Sequence, residues 1–451
     1  DYRKYAAFKS ACTKAQRERL IQTVRSISPE LAINNVDYIR TESATEIGVP
    51  QWQYSASCNA RRTAGPLRLR PADNASVDFM GFRYRDSSVS AGQLALRQWQ
   101  NLANAGSVSL YIMGRLDNHK DLTALNASQA PFTFHKEHEE LYCGLQSAAK
   151  VLLVTKPLMA RSDPEIYGWV RALTESHIPF DEVKLAELTP ELLHRWDVVV
   201  LGDVKQCSPQ QTAMLDEYVA QGGIVLTSGN APALQCLGVE SVQAKHTDCM
   251  SSVFELCASE SALFPRSAAA HYVVPGACVS EIQFAPDTKT MLHMIPEHPF
   301  GPPEMCYYTT VTDVPGLGIT PHGKGKGVYI PWSVGSFYYN EGYDNTLHFL
   351  QDVLHEVCAL PELAPGLHPS VELTLSKNAD TLAVQLVNGS GVFANSYFKP
   401  VPMQDITLRL PGLAGKAASA HNGGSVSCAD SGDDLILTLD KLNAYEIITV
   451  Q

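Results

Sequence analysis

Apolar and polar positions alternate in three different ways along this chain. From Tyr2 to Arg25 the apolar residues Tyr5, Phe8, Cys12, Leu20 and Val24 recur at helical spacing, and Pro29 closes the turn, so a helix feeding a strand is predicted. Short apolar runs follow at Leu31 to Ile33, Asp37 to Ile39, Val77 to Phe82 and Val108 to Met113, with a helical stretch from Ala91 to Ala105 between the last two. This alternation predicts a parallel βα sheet. Four such units are too few to close an eight-stranded barrel, so the first strands are expected to be absent, supplied by another chain, or not needed.

The second pattern is more regular. Lys150 to Val154, Phe180 to Val183, Asp197 to Gly202 and Gly223 to Ser228 read as short buried strands, separated by helical stretches at Glu165 to Ser176 and Pro209 to Gln221. A doubly wound sheet of flavodoxin-like or amidotransferase-like order is predicted. Its less regular continuation runs to Val328-Tyr-Ile-Pro-Trp, and the helical stretch Asp344 to Val357 closes it before a linker from Pro361 to Pro369. The third pattern, Val371 to Gln451, alternates apolar and polar residues in runs such as Val371 to Leu375, Leu382 to Val387, Ile406 to Leu410, Leu435 to Leu439 and Glu446 to Val450. That is the signature of a small antiparallel sandwich.

Composition narrows the partners. The 451 residues, 45% hydrophobic and 18% charged, suffice for about three domains. A formal net charge of -12 and a pI near 5.6 disfavour nucleic acid and anionic membranes, both of which would repel the chain. No run reaches the roughly 18 apolar residues that span a bilayer, and Asp1-Tyr-Arg-Lys does not open a signal peptide. The eleven cysteines, odd in number and without a C-x-x-C pair, read as free thiols of a cytoplasmic protein. Three sequons, at Asn74, Asn126 and Asn388, would permit glycosylation in a secreted one.

Several stretches carry resemblances. Ala149-Lys-Val-Leu-Leu-Val, Asp197-Val-Val-Val-Leu, Tyr218-Val-Ala-Gln-Gly-Gly, Gly325-Lys-Gly-Val-Tyr-Ile-Pro-Trp and Gly335-Ser-Phe-Tyr-Tyr resemble the trimerisation domain of family 42 β-galactosidases. The alternating C-terminal segment looks like the small last domain of the same enzymes. In the front segment, Asp37-Tyr-Ile-Arg-Thr-Glu42, Trp52 with Ser55 to Ser57, Gly81-Phe-Arg-Tyr-Arg-Asp86 and Ser107 to Gly114 resemble, in this order, the C-terminal half of the barrel of family 29 α-L-fucosidases and of hypothetical glycosyl hydrolase 6. Two departures stand out: Gln53 lies where the fucosidases have a glutamate, and Arg40-Thr-Glu lacks the proline of their T-P-E. The family's nucleophilic aspartate would fall just upstream of Asp1.

The resemblance implies an α/β multidomain chain: residues 1–147 as the C-terminal half of a (β/α)8 barrel, 148–360 as an amidotransferase-like trimerisation domain, and 361–451 as a C-terminal β-sandwich. It implies a carbohydrate substrate, a fucoside or galactoside, and a homo-oligomer, a trimer being one form. No cofactor or metal is implied, because paired carboxylates cleave glycosides without one.

Barrel sites gather at the C-terminal ends of strands, which makes Glu42 the candidate acid/base or sugar-hydroxyl ligand and Glu46 its nearest substitute. Asp37, Arg83, Tyr84, Arg85 and Asp86 are candidate sugar-binding residues, although the last four also fit a structural Arg-Asp pair. Trp52 fits either a sugar-stacking platform or an interface plug. His135 and His138 have metal-compatible spacing on a predicted helix but suit a solvated face better. Cys207 follows a strand, near where an amidotransferase nucleophile would stand, without the small glycines that such an elbow needs. Gly323-Lys-Gly-Lys-Gly327 reads as a turn. Two functional classes remain, a glycoside hydrolase or its C-terminal part, and a non-catalytic sugar-binding or assembly protein that keeps the architecture. An amidotransferase-type hydrolase is a distant third.

Overall fold

A computed structural model describes residues 2–155, 163–247, 249, 251–276, 278–298 and 300–451. The long helix α1 (Tyr2–Ile27) carries exposed Tyr5, Phe8 and Leu20. Its Arg25 pairs with Asp37 and donates to the carbonyls of Pro29 and Leu31, while Asp37 accepts from the Ile33 amide at 2.6 Å. These bonds occupy the backbone of Leu31 to Ile33, which therefore forms no strand, contrary to expectation.

The front sheet is parallel. β1 (Ile39–Ser43), α2 (Ser55–Ala64), β2 (Ala72–Val77), α3 (Ala91–Ala103), β3 (Gly106–Ser107) and β4 (Leu110–Tyr111) follow one another, with β1 on one edge of β2 and both β3 and β4 on the other. The predicted strand Val77 to Phe82 is displaced to Ala72–Val77 because the buried face of β2 is polar. Asn74 donates to Ser43 Oγ at 3.0 Å and to Asn101 Oδ1 at 2.7 Å, so mutual hydrogen bonds replace an apolar pattern. Helix α4 (Thr123–Glu137) follows, and then β5 (Gln146–Ser147), which leaves the front sheet to pair far along the chain.

In the middle of the chain come β6 (Val151–Thr155), α5 (Pro164–Glu175), β7 (Phe180–Lys184), α6 (Pro190–Leu193), β8 (Val198–Gly202), α7 (Pro209–Ala220) and β9 (Ile224–Ser228). An insertion adds the ribbon strands β10 (Val239–His246) and β13 (Val279–Phe284), then β11 (Val253–Glu255), β12 (Tyr272–Val273), β14 (Lys289–Ile295) and β15 (Pro315–His322), before β16 (Gly325–Ile330) returns parallel to β9. The sheet order β7-β6-β8-β9-β16 is the 2-1-3-4-5 order of flavodoxin-like sheets, extended on one side by the antiparallel run β15-β14-β11-β12. Gly323 and Lys324 form the β15–β16 turn. Helix α8 (Val334–Glu341) crosses α5 so closely that a Cβ on Gly168 would lie 1.8 Å from the Gly335 carbonyl oxygen, and α9 (Asp344–Asp352) ends the unit.

The last segment comprises β17 (Val371–Lys377), β18 (Leu382–Asn388), β19 (Val392–Phe393), β20 (Ser396–Tyr397), β21 (Met403–Leu410), β22 (Ala418–Ala420), β23 (Val426–Ser431), β24 (Asp434–Leu442) and β25 (Tyr445–Val450). One antiparallel sheet, β22-β25-β18-β17-β5, and another, β21-β24-β23, share a core of Leu373, Val384, Leu386, Leu408, Leu437 and Ile448. The first sheet also receives α3, through Trp99 stacked on Tyr445 with ring centroids 4.8 Å apart. The front segment is thus braced on the last unit. Of the three sequons, Asn74 and Asn388 are buried, and only Asn126 is exposed to a modifying enzyme. No described helix is long and apolar enough to cross a membrane, and no disulfide joins cysteines among the described residues.

Candidate functional site

The C-terminal ends of β1, β2 and β4 open into a cleft of roughly 480 Å³ whose walls include Glu42, Glu46, Phe79, Arg83, Tyr84 and Tyr111. Side chains alternate along a strand, so the buried contact of Ser43 with Asn74 turns Glu42 to the opposite face, toward the cleft. The Glu42 carboxylate is exposed and has no hydrogen-bond or ion-pair partner among the described residues; only its backbone carbonyl is engaged, by Asn59 at 2.9 Å. Glu46 lies four residues on, half-buried in the same wall.

The loop after β2 forms the other wall. A bridge between Phe79 and Ser88 closes it, Gly81 turns it at φ +77°, and Phe82–Tyr84 make one helical turn. Phe79 is buried, 5.6 Å from the Phe82 ring and 5.7 Å from Tyr111, whereas Phe82 and Tyr84 are exposed at the rim. Arg83 and Tyr84 line the cleft; Arg85 and Asp86 are exposed outside its lining. None of the Arg83, Arg85 and Asp86 side chains forms a hydrogen bond or ion pair with a described residue, so the structural Arg-Asp pair is not formed.

Beneath this loop lies a cluster that the sequence did not disclose. Asp78, directly after β2 and 1% exposed, sits 3.6 Å from His119 Nε2. Burial raises its carboxyl pKa to about 6, partly offset by His119 and increased by Asp121. Asp121 in turn accepts the Ser88 amide at 2.9 Å. Asp78 shares the buried face of Asn74 and Ser76, not the cleft face, so the cluster positions the loop that carries Arg83 and Tyr84.

Other expected residues are placed elsewhere. Asp37 lies before the N-terminal end of β1, at the opposite end of the strand from the cleft, where the Ile33 amide and, to a lesser degree, Arg25 hold its carboxyl below the usual range. Trp52 packs against Tyr54, Tyr167 and Tyr339 with centroids 5.2, 4.9 and 5.7 Å away, which makes it a plug between the front segment and helices α5 and α8. The Gln53 carbonyl accepts from Gln100 at 2.8 Å. His135 and His138 are half-buried against Tyr142 and Phe134 and so do not form a solvated face.

At the end of β8 the strained position, φ +51°, belongs to Asp203, whose carboxylate accepts from Asn230 Nδ2 at 2.6 Å. Cys207 lies four residues beyond with a thiol pKa raised by burial and no hydrogen-bond partner among the described residues, which gives a nucleophile no support.

The overall arrangement matches solved enzymes. An α-L-fucosidase (isoenzyme 2) from Paenibacillus thiaminolyticus superposes with a TM-score of 0.74 at 16% identity, over 95% of this chain and 69% of that one. The fold resembles that of these solved glycoside hydrolases. A β-galactosidase from Bacillus circulans sp. alkalophilus gives a TM-score of 0.63 at 13% identity, over 92% of this chain and 60% of the other. A GH42 β-galactosidase from G. stearothermophilus gives 0.61 at 12%, over 95% and 64%. The chain therefore spans about three fifths to two thirds of the length of these structures. No protein-family model and no curated protein matches the sequence.

Proposed function

We propose that the cleft is the carbohydrate site of a glycoside hydrolase acting on a fucoside or galactoside, with Glu42 as acid/base or sugar-hydroxyl ligand. The observation that carries this reading is a carboxylate at the C-terminal end of a parallel strand, facing a cleft with two aromatic rings at its rim, within a glycoside-hydrolase fold. In this reading residues 1–147 are an arc of a (β/α)8 barrel, 148–360 an amidotransferase-like trimerisation domain and 361–451 a β-sandwich. Arg83 and Tyr84 contact sugar hydroxyls, and Arg85 and Asp86 extend that surface. Glu46 is the second carboxylate nearest to the site. Glycosidic cleavage needs one carboxyl to protonate the leaving oxygen and another to attack the anomeric carbon or to activate water.

The exposed apolar arm formed by Phe300, Met305, Tyr307 and Val311 supports a homo-oligomer, a trimer in the family 42 manner. Free cysteines suit a cytoplasmic location.

Hydrolysis of aryl α-L-fucoside and β-D-galactoside tests the assignment. Glu42→Gln is expected to lower kcat by on the order of 100-fold or more. Activity that survives the substitution unchanged removes Glu42 from catalysis. A second reading, a non-catalytic sugar-binding or assembly protein, draws on the exposure of Glu42, whose carboxylate has no hydrogen-bond or ion-pair partner among the described residues to position it for proton transfer. It predicts saturable binding of the monosaccharide with no turnover of either glycoside.

A further inference from the structure

Far from the cleft, at the edge of the middle sheet, three side chains of different chemistry converge. Cys257 follows β11, Glu260 sits in the helical turn Ala258–Leu263, and His293 lies on β14. A thiol sulfur, a carboxylate oxygen and an imidazole nitrogen from these residues all lie within 4.8 Å of one another. We infer that Cys257, Glu260 and His293 form a binding site for a divalent transition-metal ion, with zinc as the ion that fits.

Local structure brings them together. A tight helical turn stacks residues three apart, which puts Cys257 and Glu260 on one side. The pairing of Glu255 on β11 with His293 on β14 brings the imidazole beside them. Glu260 is buried and already oriented: its two oxygens accept from the Cys257 amide at 3.0 Å and from the Leu292 amide at 3.2 Å. Each oxygen keeps a further lone pair for an ion. Leu292 takes a left-handed backbone, φ +62°, in mid-strand, donates its N–H to Glu260 and is left out of the β14–β15 pairing next to His293.

The donor set selects the metal. Thiolate and imidazole favour zinc and its neighbours over calcium or magnesium, which take oxygen ligands. Bonds of about 2.0–2.3 Å place tetrahedral donors roughly 3.3–3.8 Å apart, so side-chain rotations of about an ångström close the site. The groups acting on the Cys257 thiol are burial and the carboxylates Glu260 and Glu255, all of which disfavour its ionised form. A bound dication offsets that repulsion, and coordination releases the thiol proton to solvent. Cys257 and His293 are only half-buried, which leaves a fourth position to water. The ion would staple the exit of β11 to β14 in the insertion, a role that does not depend on the carbohydrate reading.

The test uses the whole chain, stripped with chelator and titrated with Zn2+ against a chromophoric competitor and, separately, with Co2+. One equivalent is expected to bind tightly, with a thiolate-to-cobalt charge-transfer band and a raised Tm. Cys257→Ser and His293→Gln should each weaken binding by on the order of 100-fold, whereas Cys428→Ser, at an exposed thiol elsewhere, should leave it intact. Absence of saturable one-to-one binding, absence of the thiolate band, or affinity unchanged in His293→Gln overturns the site. His293→Gln decides the matter by itself if Cys257→Ser does not fold.

Discussion

Arg61 on α2 and Glu182 on β7 form an ion pair 3.1 Å long between side chains 8% and 0% exposed. Arg62 bonds the second Glu182 oxygen, so one buried carboxylate fastens the front helix to the middle sheet. Breaking a buried pair from one side leaves the other charge uncompensated, at a cost of about 3–5 kcal/mol. Glu182→Gln should therefore lower the unfolding free energy obtained from urea titration by that amount. A change below about 1 kcal/mol would mean that the front segment is held by its apolar contacts instead.

Trp52 separates packing from recognition. If it is the plug that its contacts with Tyr54, Tyr167 and Tyr339 describe, Trp52→Ala opens a cavity costing about 3 kcal/mol. Sugar affinity of the folded variant should not change. Isothermal titration at a temperature well below the melting point distinguishes this from a stacking platform, whose loss would abolish binding and spare stability.

The parts of the fold legible in the sequence are those whose buried faces are apolar. Val151 to Val154 and Val198 to Leu201 are unbroken apolar runs because helices cover both faces of the middle sheet, and they fall within the strands read there. An apolar pattern does not mark β2 because the buried Asn74 on it bonds Ser43 and Asn101, while the apolar Phe79 and Phe82 belong to the loop beyond it. Glu42 stands near the end of β1, and its position in the cleft wall follows from the alternation along that strand. The cluster of Asp78 and His119 was not legible, since it depends on two loops meeting, and the trio Cys257, Glu260 and His293 depends on a cross-strand register in the same way. Asp37 carried the right residue type at the wrong end of its strand.

Asp78 should make stability depend on pH. Its carboxyl titrates near 6 in the folded chain against an ordinary value of 3.8, so between those values the folded state binds more protons than the unfolded one. The contribution of Asp78 to stability is then greatest below about pH 4, falls as pH rises to about 6 and levels off above it, a change of at most roughly 3 kcal/mol. Asp78→Asn should remove this slope. Urea midpoints for both proteins from pH 4 to 7 provide the check, and parallel curves would show that Asp78 does not carry the dependence.

The rim aromatics offer the cleanest test of the cleft as a sugar site. Phe82 and Tyr84 are more than half exposed, at 70% and 53%, so their removal leaves little core undone. Stacking of one ring on a sugar face is worth about 0.5–1.5 kcal/mol by analogy with aromatic pairs, so Phe82→Ala or Tyr84→Ala should weaken monosaccharide binding roughly 2- to 10-fold with an unchanged Tm. Arg83→Ala, which removes a cation from the same wall, should weaken binding without altering the fold, because the guanidinium bonds to no described residue. Titration of fucose and galactose into the three variants reads these effects directly. Unchanged affinity in all three would place the carbohydrate elsewhere, and preference for one sugar in the parent chain would identify which of the two the cleft is shaped to hold.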